Sequence, residues 1–434
     1  MLPEQFLTRM QKRLGSEFPA FLASYEIPPR RGLRVNALKI SAEEFFKISP
    51  FALKGVPWEK NGFFITEEKP GADPYHFAGL YYLQEPSAMC AAPLLGVQPG
   101  ERVLDLCAAP GGKTTQLAAA MQGEGVLIAN EIDYDRAKIL SQNVERLGLK
   151  NCAVTKASPA QLAELFPEYF DKILVDAPCS GEGMFKKERE AIAHWSPQNV
   201  AMCAARQREI LDSAARMLAG GGKMVYSTCT FAEEEDEWQI EAFLKRHPEF
   251  ELIEMKKLLP HEIEGEGHFA ALLCKKEGGR GQYAGKDAPR GRFHHANPEG
   301  AIKAYREFEK QFFKTAPTGK TVVQGARMYL VPHEMPDFDP LALVWLRLGV
   351  ELGEWDGKIF KPAHALATAL GSGAARKIAL SREEAKKYLR GETVEANVEN
   401  GWCVVCVEEY PLGLGKAVNG VVKNHLPKGL RMFR

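Results

Sequence analysis

The chain has 434 residues, 45% of them hydrophobic, which is long enough for about three domains and apolar enough for buried cores. Lysine plus arginine and aspartate plus glutamate balance at 56 each, so the formal net charge is zero; this excludes a protein that holds nucleic acid by its overall field and leaves that task to local patches. No window approaches the roughly 18 uninterrupted apolar residues of a membrane span, the first residues lack a signal peptide's apolar stretch, and the nine cysteines follow no framework spacing, so a reducing cytoplasm is expected.

Residues 1–85 read as a small amino-terminal domain with an amphipathic helix from Phe6 to Leu22 and the run GLRVNALK. From 86 to 276, short β-rich runs alternate with helical patterns, which predicts an α/β fold: a doubly wound, mostly parallel, Rossmann-like sheet covered on both faces. The runs RVLDLCA, GVLIANEI, CAVTKA, FDKILVDAP, GGKMVYSTCT, FELIEM and AALLC give seven strands. Between the second and third, Asp133 to Leu147 predicts a helix with Ala137, Leu140, Val144 and Leu147 on one face, opened by Asp133 and Asp135 and closed by Gly148. Residues 277–376 are expected to hold a linker and an intermediate domain, because Glu277 to Gly300 is too polar to build core. From Lys377 to the end, alternating runs with glycine turns predict a small, mostly β unit. Candidate basic patches are Lys186, Lys187 and Arg189; the stretch 275–295; and Lys416, Lys423, Lys428, Arg431 and Arg434.

The first strand of the central block runs directly into Cys107-Ala108-Ala109-Pro110-Gly111-Gly112-Lys113 and a helix. A small-residue loop at that point of a doubly wound sheet lets a ligand approach the backbone closely. A phosphate-binding P-loop would need glycine six residues before its lysine, where Cys107 stands, so a nucleotide triphosphatase is disfavoured. Glu131 ends the second strand, where an acidic side chain can accept hydrogen bonds from both ribose hydroxyls. Loop and acid favour an adenosine-bearing ligand with no phosphate requirement, and S-adenosylmethionine is the natural candidate.

The fourth strand ends in Asp176-Ala177-Pro178-Cys179-Ser180-Gly181 and the fifth in Ser227-Thr228-Cys229-Thr230. Adjacent strands ending at one sheet edge would bring Asp176, Cys179 and Cys229 into one crevice. Carbon 5 of cytosine is not nucleophilic until a nucleophile adds at carbon 6, and a thiolate suits that step. The ring nitrogen must gain a proton as the adduct forms, which a carboxyl group can supply if burial raises its pKa. On this chemistry alone either cysteine can attack. Cys403 and Cys406 form a lone CxxC in an apolar run, read as packing, and His261, His268, His294 and His295 show no zinc spacing, so no metal is expected.

The motifs LRVNALK (33–39), LQEPSAM (83–89), LDLCAAPGGKTTQLA (104–118), NEID (130–133), DAPCSGEGMF (176–185) and YSTCTF (226–231) resemble, in order and spacing, the RNA cytosine carbon-5 methyltransferases of the Nol, Nop and Sun family, most of all the bacterial RsmF branch. The resemblance covers nearly the whole chain, and the ending GLGKAVNGVVKNHLPKGLR resembles that branch's PUA-like RNA-binding domain. It implies that the residues from Cys107 to Lys113, with Glu131 and Asp176, contact S-adenosylmethionine. Cys229 is then the nucleophile, and Cys179 is the second cysteine, which helps release product. One departure is Ser158 after the third strand, where the family commonly has an aspartate near the adenine; its hydroxyl can still bond an adenine amine, without charge assistance. The implied substrate is small-subunit ribosomal RNA, free or in the subunit, acted on by a monomer; transfer RNA, or a nonenzymatic role in ribosome assembly, are the alternatives.

Overall fold

The computed structural model describes residues 2–284, 298–336 and 343–432; His294, His295, Arg434 and the end of the second basic patch lie outside these. Among the described residues no helix is long and apolar enough to cross a membrane.

The amino-terminal unit contains β1 (Arg31–Val35), β2 (Lys54–Val56), β3 (Glu59–Ile65) and β4 (Tyr81–Leu83), in the sheet order β2-β3-β1-β4. The single helix expected from Phe6 to Leu22 is two, Glu4–Leu14 and Phe18–Ser24. The break falls at Gly15, whose φ of 53° lies outside the helical region, and Pro19 opens the second helix, where a missing N–H costs nothing. Phe6, Met10 and Phe21 are fully buried against Phe185, Trp195 and Phe231 of the central domain.

The central sheet contains all seven expected strands: β5 (Arg102–Asp105), β6 (Val126–Asn130), β7 (Cys152–Lys156), β8 (Phe170–Asp176), β9 (Leu218–Thr228), β10 (Phe250–Leu258) and β11 (His268–Lys275). β6 is buried at every position, as a central parallel strand covered on both faces must be. The strands β7, β6, β5, β8 and β9 are parallel, while β11 and β10 close one edge antiparallel. An unexpected eighth strand comes from beyond the linker. Following β12 (Lys320–Gln324) and β13 (Arg327–Val331), β14 (Val344–Leu348) pairs antiparallel with β7, giving the order β10-β11-β9-β8-β5-β6-β7-β14. The chain direction reverses its progress across the sheet at β5, between β8 and β6, and the crevice above that point is where ligands bind in such sheets.

The helix Tyr134–Leu147 buries Ala137, Leu140, Val144 and Leu147; Asp133 caps it by accepting the Arg136 N–H at 2.9 Å, and Gly148 ends it in the left-handed conformation. The expected linker is not wholly exposed. Tyr283 is buried with its ring 4.9 Å from that of Phe166, and Arg280 pairs with Asp171. The intermediate sheet adds β15 (Val350–Trp355) and β16 (Phe360–Pro362), in the order β12-β13-β15-β16. The last sheet, β17-β19-β20-β21-β18, comprises β17 (Lys377–Leu380), β18 (Val394–Glu395), β19 (Gly401–Val407), β20 (Tyr410–Val418) and β21 (Val421–Asn424). Cys403 and Cys406 are buried, unbridged and belong to two different apolar clusters.

Candidate active site

The loop Cys107–Lys113 leaves β5 at the switch point. Its backbone is fixed from outside: Ala108 N–H donates to Asn130 O at 2.8 Å, Arg136 donates to Ala109 O at 3.0 Å, and Asn143 donates to Pro110 O at 2.9 Å. Gly111 has φ of 111°, and a side chain there would press on Leu140; one at Gly112 would crowd the Tyr82 ring. Two acids flank the loop. Glu131 is buried beside Arg136 at 3.1 Å and accepts the Asp133 N–H. Asp105, which the sequence reading did not single out, is fully buried at the end of β5; Thr114 donates to one carboxyl oxygen at 2.7 Å and the other has no partner. Burial pushes Asp105 up to about 7.

These residues fit the expected S-adenosylmethionine. A ligand with an ammonium group and ribose hydroxyls supplies the donors that an unpartnered carboxyl oxygen and Glu131 need, and the glycines leave room for it. A triphosphate does not fit, because the loop's one cation is already used: Lys113 Nζ lies 2.8 Å from Asp176 Oδ2. Ser158 stands at the start of the helix Pro159–Leu165, where its hydroxyl accepts the Gln161 N–H in a capping box.

β8 and β9 run side by side, so Asp176 pairs in register with Ser227, whose hydroxyl donates to Asp176 Oδ1 at 2.8 Å. Asp176 departs from the expectation of a raised carboxyl pKa. Burial works upward and is the largest single influence, but Lys113, His268 and the Ser227 hydroxyl together outweigh it and hold Asp176 below its ordinary range, so the group is an ionised acceptor. Lys113 is itself held above its ordinary range: burial lowers it, and Asp176 more than compensates. Buried His268 has Nε2 3.7 Å from Asp176 Oδ1, and burial drives it down to about 3, so it is neutral.

The loops after β8 and β9 bring two thiols together, Cys179 Sγ and Cys229 Sγ, at 3.3 Å. Both residues are half-buried. The hydrogen bond to Cys229, with burial, raises Cys179 well above the usual thiol range, so Cys179 keeps its proton. Burial likewise pushes up the Cys107 thiol. The segment after Cys179 is anchored by Glu182, which pairs with Arg9 of the first helix and accepts Trp195 Nε1–H at 2.8 Å and Phe231 N–H at 3.1 Å. At Gly183 this segment presses on the Cys229 and Gly267 carbonyls, too close for a side chain. Beside it opens a cavity of about 830 Å³ between the amino-terminal unit and the central domain, lined by Arg30, Arg31, Gln84, Glu85, Lys186 and Lys187 among others.

A doubly wound sheet with a glycine loop at its switch point, and reactive side chains on the next strand ends, defines the Rossmann-like methyltransferase class. The comparisons carry this further. Residues 92–286 match the 16S rRNA methyltransferase RsmB/F family. Residues 2–86 match the N-terminal domain of 16S rRNA methyltransferase RsmF, 307–370 the RsmF rRNA methyltransferase first C-terminal domain, and 375–432 the methyltransferase RsmF PUA domain. The chain is 32% identical to ribosomal RNA small subunit methyltransferase F of Erwinia tasmaniensis, over 99% of this chain and 96% of that one. It is 34% identical to the protein of that name from Escherichia coli O17:K52:H18, with the same coverage. The crystal structure of a methyltransferase homolog protein from Pyrococcus horikoshii superposes with a TM-score of 0.55 at 34% identity, covering 60% of this chain and 91% of that one. The chain belongs to the 16S rRNA methyltransferase RsmB/F family.

Proposed function

We propose that this protein methylates carbon 5 of cytosine in small-subunit ribosomal RNA through a covalent adduct on Cys229. The observation that carries the reading is the thiol pair at 3.3 Å beside an ionised Asp176, at the mouth of a loop fit for S-adenosylmethionine. Amine or hydroxyl methylation needs no thiol; a pyrimidine ring carbon does.

Cys229 Sγ bonds to carbon 6 of a cytosine turned out of its stack, the carbon 5–carbon 6 double bond shifts toward carbon 4, and the proton given up by the thiol is returned through solvent to the ring nitrogen. Asp176, kept ionised by Lys113, accepts hydrogen bonds from the protonated ring nitrogen and the exocyclic amine; it orients the base instead of serving as the acid. Residues from Cys107 to Lys113, with Glu131, Asp105 and Asp176, would hold S-adenosylmethionine, which would supply the methyl group for carbon 5. Ser158 stands at the adenine end as a hydroxyl in place of a carboxylate. Loss of the carbon 5 proton then re-forms the ring double bond and expels Cys229, assisted by Cys179.

The RNA would reach this site along the cavity lined by Arg30, Arg31 and Lys187, and across the last sheet. There Trp402, Lys416 and Lys423 are paired side by side in register, an aromatic and two cations on one face. In this reading units 1–85 and 377–434 bind RNA, 86–276 performs the chemistry and 277–376 joins them. One chain supplies both thiols and both RNA surfaces, so a monomer suffices, and the cytoplasm keeps the thiols reduced.

The test is transfer of labelled methyl from S-adenosylmethionine to small ribosomal subunits, their naked RNA and transfer RNA, with nucleoside analysis. Label is expected in 5-methylcytosine of a ribosomal sample; label only in transfer RNA overturns the substrate. Cys229→Ala should form no RNA adduct and no product, whereas Cys179→Ala should accumulate an adduct stable to denaturant. The opposite pattern reverses the two thiol roles.

A further inference from the structure

Between the two cysteine loops lies a buried carboxylate that the reaction above does not use. Glu235 is fully buried. One of its oxygens accepts Ser180 N–H at 3.0 Å and Gln207 Nε2–H at 2.8 Å, and the other accepts the Ser180 hydroxyl. Gln207 also donates to Pro178 O at 3.0 Å. Both neighbours of Cys179 in the chain are thus held by Glu235 or by the glutamine bonded to it.

The same network reaches the other loop. The Ser180 hydroxyl has one proton, spent on Glu235, so Thr230 Oγ1, 2.8 Å away, donates to it. On the far side of Cys229, the Thr228 hydroxyl donates to buried Asp236 at 2.6 Å, and Asp236 is paired with Lys257 at 2.7 Å. The Tyr226 hydroxyl donates to the Glu235 carbonyl at 2.6 Å, which fixes the backbone from which both acids project. The residues on either side of both thiols are therefore tied to one acidic dipeptide. Such a network is unusually costly to break, because each donor left over is buried.

We propose that Glu235 is a positioning residue for the second half of the reaction: it holds Cys179 against Cys229, so its loss slows release of methylated RNA while leaving attack at carbon 6 intact. This rests on the reading of Cys179 as the releasing thiol. The Glu235 side chain bonds directly to the Cys179 loop and reaches Thr230 of the Cys229 loop only through Ser180, whereas the Asp236 side chain serves Thr228. Removing Glu235 thus displaces Cys179 first. Glu235→Gln keeps the shape but turns one acceptor into a donor that faces donors.

The experiment compares full-length wild type with Glu235→Gln, using Cys179→Ala and Cys229→Ala as references, on the ribosomal substrate that accepts label. Glu235→Gln should form adduct in the first turnover at a rate within about twofold of wild type. Multiple turnover should fall by at least about tenfold, as expected when a reacting group is misplaced by a fraction of an ångström to an ångström, with adduct accumulating and KM unchanged.

A second readout needs no RNA. Diamide takes up the two electrons and two protons that Cys179 and Cys229 release as their sulfur–sulfur bond forms, and the linked peptide is counted by mass spectrometry. In Glu235→Gln this linkage should slow by at least about fivefold, since exchange and closure depend on how the two sulfurs meet. Unchanged linkage, absence of adduct accumulation, or equal loss of adduct formation and turnover overturns the proposal. If Cys179→Ala itself accumulates no adduct, the reading of Cys179 fails, while the linkage result still decides whether Glu235 sets the thiol geometry. If Glu235→Gln shows no cooperative melting, Ser180→Ala, which cuts the hydroxyl link between Glu235 and Thr230, takes its place with the same criteria.

Discussion

At the scale of single residues, the site is governed by what Lys113 does to Asp176. The sequence marked both, but it could not show that the lysine's charge would be spent on the carboxylate, and so the expected acid is an ionised acceptor. Lys113→Gln removes the largest of the influences that together offset burial, so the Asp176 pKa should rise and the acid limb of the single-turnover rate should move to higher pH. The rate at pH 7.5 should fall by about 10² to 10³, the usual cost of losing one charged stabilising contact in a closed site. A profile between pH 5 and 9 with an unmoved acid limb would show that Lys113 does not set the ionisation of Asp176. Asp176, Cys179 and Cys229 were legible because strand ends announce themselves by apolar runs followed by small residues. Asp105, His268 and Glu235 were not. Each is a buried polar residue inside or at the edge of an apolar run, and only the third dimension shows which carboxyl oxygen lacks a partner or which loops a carboxylate joins.

At the scale of elements, the sequence is most informative where periodicity and end signals agree, as in the helix Tyr134–Leu147 with Asp133 and Gly148 at its ends. Where a break is written in one residue, as at Gly15, periodicity reads across it, because Phe6 and Phe21 both face one apolar cluster. Strand β14 is a different case: VWLRL is apolar enough for a strand, but nothing local says that it joins a sheet begun over 200 residues earlier. The joint is secured by Arg347, buried and paired with Glu145 of the helix beside β7. Ser158 shows how an element can claim a residue expected at a ligand. Its hydroxyl caps a helix, so Ser158→Ala should lower stability by about 1 kcal/mol, the typical loss for an N-cap. Ser158→Asp retains a good cap and restores a charged acceptor, so it should melt like wild type and bind S-adenosylmethionine more tightly in calorimetry. Equal affinity in all three proteins would remove Ser158 from the cofactor site.

At the scale of the whole molecule, the two terminal units are built as one body. Leu33, Tyr75 and Tyr81 of the amino-terminal unit share an apolar cluster with Tyr388, Leu389 and Leu412 of the last. Tyr75 Oη lies 2.8 Å from both carboxyl oxygens of Glu408, and Arg382 pairs with Asp73. A sequence divides into units by composition and cannot show that the first and last close on each other. Each large apolar side chain in that shared cluster is worth about 1.5 to 3 kcal/mol of burial, so several together rival the stability of a small domain. Removing residues 377–434 should therefore loosen the other end of the chain: amide exchange in β1 and β3 should speed up by at least about tenfold, equivalent to about 1.4 kcal/mol of lost protection. If those amides exchange at the full-length rate, the terminal units are independent modules and the basic surfaces they carry need not act together. If they speed up, the cavity beside Arg30 and Arg31 and the face bearing Trp402 and Lys416 are held in one fixed relation to the thiols. A single strand of RNA bound by both would then be presented to Cys229 in one register.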